Sequence, residues 1–378
     1  MTNAPFVRPR VAIVIHDFDP SFGQGRYCHE LIRRLHQEVA FDIHSNTWVD
    51  AGVPGVRYHK VGAVRTNVAT TVLTFLPCAE HSLRAHPAAL VHAQGLTSWR
   101  ADVITGHVCS ASRIPFLSQA GHRARMFARL VTPLERAFYR RHGAGQLIAI
   151  SNTLGKQIQA EYGWDKPTHV IYHGTDALRF RPAHDNEERA KLRARFGLPD
   201  GRWTWLFMGE AVKGLAASIA QLRAFPQAHL LVVSRSELSS FQRQARADGI
   251  LDRITFHGFD SKPEEAFRAV DLFLYPNEYD TFGLVVTEAM ASGLPVVIGE
   301  AIGAAELVRD GYNGLLCRVT DEASVRAALR RVFDLPDKGT AMGLEARRTA
   351  ANYSWDRCAL ETLGVYRQAL RALQSKGH

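Results

Sequence analysis

Short apolar runs alternate along this chain with longer stretches whose apolar residues recur at helical spacing. In the first half the runs fall at 11–15, 41–44, 90–93, 103–105, 147–150 and 169–172, with helical stretches such as 26–36 and 152–162 between them. Buried parallel strands read as continuous apolar runs, and each parallel step needs a crossover, usually a helix. The pattern predicts an α/β fold built on an open, doubly wound parallel sheet. The alternation stops between 176 and 200, where the charge-rich stretch 184–195 predicts one exposed helix. It resumes at 205–208 and continues at 230–233, 254–256, 272–275, 296–298 and 315–317, which predicts a second doubly wound domain. Residues 355–373 form a long helical pattern with no strand after it.

A length of 378 residues agrees with two domains. The expected division is 1–178 and 179–354, with the terminal helix 355–378 packing back on the first domain. Ligands of doubly wound sheets bind outside the carboxyl ends of the strands, so the expected site is the cleft between the two domains.

Hydrophobic residues at 46% and charged residues at 22% exclude a disordered or collagen-like chain. No apolar run approaches the ~20 residues of a membrane span. The first run is too short for a secretory leader and is followed by Asp17 and Asp19. The five cysteines contain no Cys-x-x-Cys pair, which argues against a disulfide framework or a thiolate zinc site and for a reducing cytoplasm. The net charge of +9 is unevenly placed. Residues 1–175 hold 19 Lys and Arg against 11 Asp and Glu, and the remainder holds 27 against 26. A basic first half predicts an anionic partner.

Residues 271–297 are the most informative segment. A strand ends near Tyr275 and Pro276, a polar loop follows, and a helix starts around Gly283 and Leu284. Thr281 and Phe282 lead into that start, whose N–H groups and dipole suit an anion. Asp280 lies in the loop and Glu288 one turn inside the helix. A carboxylate is a pure acceptor and can take both hydroxyls of a vicinal diol. Two acids and a phosphate-binding helix start describe a nucleotide-sugar site, although two solvated acids on a loop and a helix would also fit the pattern.

This segment resembles the Glu-x7-Glu motif of the family-4 retaining glycosyltransferases, which have the GT-B fold of two Rossmann-like domains. Asp280 replaces the first Glu, and the Phe282-Gly-Leu and Glu288-Ala-Met-Ala-Ser-Gly-Leu-Pro-Val wording otherwise agrees. The resemblance implies that Asp280 reaches the donor sugar and Glu288 holds the ribose. Gly23-Gln-Gly25 is similar to the family's N-terminal glycine-rich loop. The segments 90–95 and 102–107 resemble its paired histidine segments, with His107 matching the histidine that contacts the donor sugar. The segment 207–214 corresponds to a Gly-Arg…Lys-Gly loop facing the diphosphate. Gly209 and Lys213 are retained there, Glu210 stands where Arg is usual, and the spacing is two residues shorter. An acid beside a diphosphate is unfavourable unless it turns away. Analogy places the base near Ser234 and Arg235 and near Gly258 and Phe259. His173 and Gly174 stand where the family usually has Asn-Gly, and are expected to be structural.

Two further features invite other readings. Asp17-Phe-Asp19 has the spacing of a metal-binding Asp-x-Asp, but it precedes a glycine-rich loop in a chain where lysine and helix dipoles handle leaving-group charge. No essential metal and no cofactor are expected. Between 113 and 141 there are seven Arg and one acid. Met126, Leu130, Leu134 and Phe138 make one helical stripe, and Pro133 is expected to kink or divide the helix. Arg123, Arg125, Arg129, Arg136 and Arg140 either are solvated beside a core-facing stripe or lie on an anionic membrane or acceptor.

The resemblance therefore implies a cytoplasmic or membrane-peripheral retaining glycosyltransferase. It would use a UDP- or GDP-sugar, a glycan or glycolipid acceptor and no metal, in lipopolysaccharide or related surface-glycan assembly. A GT-B nucleotide-sugar epimerase and a non-catalytic nucleotide-sugar-binding homologue are the alternatives. Nucleic acid is disfavoured because the arginines lie in one helical segment rather than around an aromatic stacking platform.

Overall fold

The computed structural model describes residues 8–117, 122–141, 145–259 and 262–376. The chain divides into two compact units, one of residues 1–174 with 355–378 and one of residues 175–354.

The first unit carries seven parallel strands: β1 (Arg10–Val14), β2 (Ala40–Ser45), β3 (Arg57–Lys60), β4 (Leu90–Gln94), β5 (Val103–Gly106), β6 (Gln146–Ala149) and β7 (Thr168–Val170), in the order 3-2-1-4-5-6-7. Ile13 pairs with Ile43 on one side and with His92 on the other, so the order reverses at β1 and β4. The helix Gly23–Leu35 buries Tyr27, Leu31, Ile32 and Leu35, a face at helical spacing. The last helix, Trp355–Lys376, belongs to this unit and packs on Gly23–Leu35 and on β4, β5 and β6.

The second unit has β8 (Trp203–Met208), β9 (Ala228–Ser234), β10 (Ile254–Gly258), β11 (Leu272–Tyr275), β12 (Val296–Gly299) and β13 (Leu315–Cys317), all parallel. Their order, 10-9-8-11-12-13, is that of a Rossmann sheet with its switch point between β8 and β11. β8, β9, β11 and β12 are buried along their whole length, which is why they read as unbroken apolar runs. The charge-rich stretch forms the helix Asn186–Arg195 with no buried residue, capped by Asp185, whose side chain accepts from the Glu188 N–H.

One strand was not predicted, and one local expectation is corrected. β3 has no apolar run: Arg57-Tyr-His-Lys60 lies at the sheet edge with exposed ends, so burial leaves no signature there. Pro133 does not divide its helix, which runs unbroken from His122 to Arg141. A neighbouring carbonyl, that of Ala128, accepts from the Thr132 hydroxyl at 2.8 Å.

Burial holds several histidines neutral. It pushes His16, His44 and His229 down to about 4, and His92 and His173 down to about 3. In the unfolded chain such groups titrate near 6.5. The unfolded state therefore binds more protons below that pH, and stability is complete above about 6.5 and lost as pH falls toward 4. The unfolding free energy is expected to fall between pH 7.5 and pH 5 by an amount on the order of several kcal/mol, seen as a lower denaturation midpoint. An unchanged midpoint would mean that these rings are not buried as neutral groups.

Candidate functional site

The switch point of the second sheet gathers residues far apart in sequence. β8 ends at Met208, and Gly209 and Glu210 lead into a single turn, Ala211–Lys213. Gly214 follows at φ +108°, where a Cβ would lie 2.2 Å from the Pro276 carbonyl oxygen, so only glycine lets the two loops close on each other. That approach brings Lys213 Nζ to 2.9 Å from Asp280 Oδ2. The Tyr275 hydroxyl donates to the same oxygen at 3.0 Å, and the Phe282 N–H donates to Oδ1 at 3.3 Å. Asn277 donates to the Tyr275 hydroxyl and to the Tyr279 carbonyl. Burial, reinforced by the Asp280 carboxylate, holds the Tyr275 phenol well above its usual range, so it stays a donor.

The loop then enters the helix Leu284–Ala291 through Gly283, at φ +96°. Glu288 is buried on this helix. Thr281 and Phe282 are fixed by the following turn, where Gly303 donates to the Asp280 carbonyl and Ala304 to the Phe282 carbonyl. Glu210 is exposed, and its charge reaches the Tyr275 phenol only as a minor influence. At the ends of the adjacent strands β9 and β10, Ser234 pairs with Gly258. The next residues meet as well: the Arg235 guanidinium lies 3.7 Å from the centre of the Phe259 ring, which is half exposed. Ser234 Oγ accepts from the Ser236 N–H, and Ser236 Oγ accepts from the Ala211 N–H, tying this side to the Lys213 turn. One sheet edge thus offers a flat cation–aromatic pair, an anchored lysine, two carboxylates and a helix start.

In the first unit, His107 follows β5 and is buried, with its basicity held well below the usual range by burial and by His173. Its Nε2 lies 2.8 Å from Gln94 Oε1, at the end of β4. Gly23 and Gly25 open the helix Gly23–Leu35. A Cβ on Gly25 would lie 2.0 Å from the Asp19 carbonyl oxygen, so this glycine first serves the close approach of its own chain.

Two family matches lie end to end along the chain. Residues 23–179 match the family described as Glycosyltransferase Family 4, and residues 188–349 match Glycosyl transferases group 1. The chain carries a domain of each of these two glycosyltransferase families.

Solved structures agree in fold. The lipopolysaccharide-biosynthesis glycosyltransferase WaaG superposes at a TM-score of 0.79 with 19% identity, covering 94% of this chain and 99% of that one. Sucrose-phosphate synthase from Thermosynechococcus elongatus superposes at 0.80 with 21% identity, covering 97% and 100%. Anabaena HepE in complex with UDP-glucose superposes at 0.74 with 18% identity, covering 95% and 100%. The fold is GT-B. Among curated relatives, a D-inositol 3-phosphate glycosyltransferase of Catenulispora acidiphila is 32% identical over 60% of this chain and 58% of its own length. The Nocardia farcinica enzyme of the same name is 33% identical over 60% and 53%. The chain spans a little over half the length of these relatives.

The two acids and two of the arginines that invited other readings have local partners. Asp17 accepts from the Thr47 hydroxyl and pairs with Arg65 at 3.2 Å, and Asp19 accepts from the Ser21 N–H at 2.8 Å. Arg136 donates to the Glu161 carbonyl at 3.1 Å, and Arg140 lies against Gly163, the C-cap of the helix Asn152–Tyr162. Cations suit a helix C-terminus, so these two arginines have a structural use. The apolar stripe is not uniformly core-facing: Phe138 is buried, whereas Met126 is 41% and Leu130 66% exposed, beside Arg125 and the exposed Arg129. The side chain of Arg123 lies outside the described residues.

Tyr275, Asn277 and Gln94 belong to these networks and were not singled out from sequence. Tyr275 carried a readable signal, as a phenol on the last residue of a buried strand at the ligand edge. The roles of Asn277 and Gln94 follow only from contacts.

Proposed function

We propose that this chain is a retaining glycosyltransferase that moves a sugar from a UDP- or GDP-linked donor to an acceptor hydroxyl. The observation that carries the proposal is the Lys213–Asp280–Tyr275 cluster beside buried Glu288 at the switch point of the second sheet. In this reading Glu288 accepts from the ribose hydroxyls and Asp280 accepts from the sugar. Lys213 and the helix start at Gly283 face the diphosphate, and the Arg235–Phe259 pair takes the base. The bond from the anomeric carbon to the diphosphate oxygen breaks as the bond to the acceptor oxygen forms on the same face. The acceptor proton passes to the departing diphosphate. Lys213, already fixed by Asp280, then stabilises leaving-group charge without reorganising, and no metal is required. His107 acts on the donor sugar.

The acceptor is an anionic polyol or glycolipid of surface-glycan assembly. The basic first half of the chain supports this, as do the relatives named for inositol 3-phosphate and for lipopolysaccharide. The enzyme works in the cytoplasm at the membrane surface, where Met126 and Leu130 with Arg125 and Arg129 make the contact. No described helix is long and apolar enough to cross a membrane.

The donor assignment is tested by thermal shift with a panel of UDP- and GDP-sugars. The cognate donor at 100 times its dissociation constant should stabilise by about 2.7 kcal/mol. Absence of a shift with every donor would overturn the assignment. The membrane contact is tested by liposome sedimentation. Each arginine near an anionic surface contributes about 1 kcal/mol, so changing Arg125, Arg129 and Leu130 to Ser should release the protein from anionic vesicles and spare donor hydrolysis. Equal binding to neutral and anionic vesicles, or none to either, would leave these residues merely solvated.

A further inference from the structure

His107 stands at the head of a polar chain that crosses the interior of the first unit. Its Nε2 lies 2.8 Å from Gln94 Oε1. Gln94 Nε2 lies 3.2 Å from His92 Nε2, and His92 Nδ1 lies 2.7 Å from the Tyr366 hydroxyl on the terminal helix. Thr105 Oγ1 lies 2.7 Å from the same His92 Nε2 and 3.3 Å from the Tyr27 hydroxyl. Gln94, His92, Thr105, Tyr27 and Tyr366 are all buried.

The donors and acceptors of this chain can be counted. A carboxamide has an oxygen that only accepts and a nitrogen that only donates. Two neutral imidazoles that meet opposite ends of one carboxamide must therefore differ. The ring at the oxygen carries a proton on Nε2, and the ring at the nitrogen has a bare Nε2. Burial keeps both rings neutral. With Gln94 placed as it is, His107 is the Nε2–H form and His92 the Nδ1–H form, which donates to Tyr366. Thr105 then donates to His92 Nε2 at 2.7 Å, sharing the single lone pair of that nitrogen with the longer contact from Gln94, and accepts from Tyr27.

We propose that Gln94 is a positioning residue for the transfer reaction. It holds His107 in its Nε2–H tautomer, so that the ring meets the sugar through Nδ1 as a hydrogen-bond acceptor, and the chain through His92 and Tyr366 holds Gln94 in turn. The inference rests on the reading that His107 acts on the donor sugar. Its physical basis is general: which nitrogen of a histidine is protonated is set by the hydrogen bond that the other one makes.

The test has a spectroscopic arm that is independent of turnover. Long-range proton–nitrogen spectra of the full chain with labelled histidine should show His107 protonated at Nε2 and His92 at Nδ1, assigned with His107→Ala and His92→Phe. The reverse pair, or both rings in one tautomer, would overturn the inference. The kinetic arm uses Gln94→Leu and Gln94→Glu, each checked for folding by its melting curve. Gln94→Leu removes both links and should lower turnover ~10²-fold, as misplacement of a reacting group does, with nucleotide affinity changed less than about twofold. Gln94→Glu accepts from both rings, favours the protonated imidazole, and should give turnover a pH dependence between 6 and 8 that the parent lacks. Wild-type turnover and pH profile in both folded variants, alongside an inactive His107→Ala, would overturn the role of Gln94. Full turnover in His107→Ala would instead overturn the reading on which the inference rests, and the spectra would still decide the tautomers.

Discussion

Replacing Glu288 by alanine will weaken donor binding ~10²-fold or more in a chain that still folds. Glu288 is buried on the helix Leu284–Ala291, whose start at Gly283 follows directly from the Asp280 loop. Placed against a ribose, its carboxylate accepts from two hydroxyls. Hydrogen bonds to a charged group are worth about 1.5–3 kcal/mol each, and about 1.4 kcal/mol is tenfold in affinity. Glu288→Gln keeps the size of the side chain and one acceptor oxygen, so its loss should be intermediate. Calorimetry with the nucleotide diphosphate that gives the largest thermal shift measures both. Unchanged affinity in folded Glu288→Ala would remove this residue from the site.

Replacing His107 by alanine is expected to act on a different quantity. In the proposed function donor affinity comes from residues of the second unit: Glu288, Lys213 and the helix start at Gly283. His107 lies in the first unit, beyond the carboxyl end of β5, held by Gln94. A preorganised polar contact of this kind is strongest where charge develops, and losing one costs ~10²-fold or more in turnover. Nucleotide affinity should change little. Burial keeps the ring neutral, so activity near neutral pH should show no titration limb from it. Normal turnover with only a lowered melting temperature would make His107 a packed structural histidine.

Both sheets were legible in the sequence, and the reason is burial on two faces. β8, β9, β11 and β12 are enclosed on both sides, so every position must be apolar or small, and the run announces itself. β3 was not legible because its residues, Arg57-Tyr-His-Lys60, are polar and the two at its ends are exposed, so burial imposes no apolar run. Arg57 there is used to pair with buried Asp42 at 2.6 Å, a contact that leaves no periodicity. Pro133 gave a misleading signal. Proline weakens a helix locally, but the helix His122–Arg141 packs on neighbouring helices, and tertiary contact outweighs local propensity.

The candidate site divides in the same way. Asp280, Gly283 and Glu288 stand within one short segment, and their order along a strand, loop and helix was readable because local geometry alone sets it. The rest depends on distant parts of the chain. Lys213 meets Asp280 across 67 positions, at a turn that closes only because Gly214 has no Cβ. Arg235 lies on Phe259 because β9 and β10 are neighbours in the sheet. His92 meets Tyr366 across 274 positions, because the terminal helix packs on the first unit. The sequence determined the periodicities, and through them both sheets and the residue types at their carboxyl edges. Which side chains share a proton or a charge was decided by tertiary structure alone. Hydrogen bonds and ion pairs act over about 3 Å in space, and spacing along the chain does not record that distance.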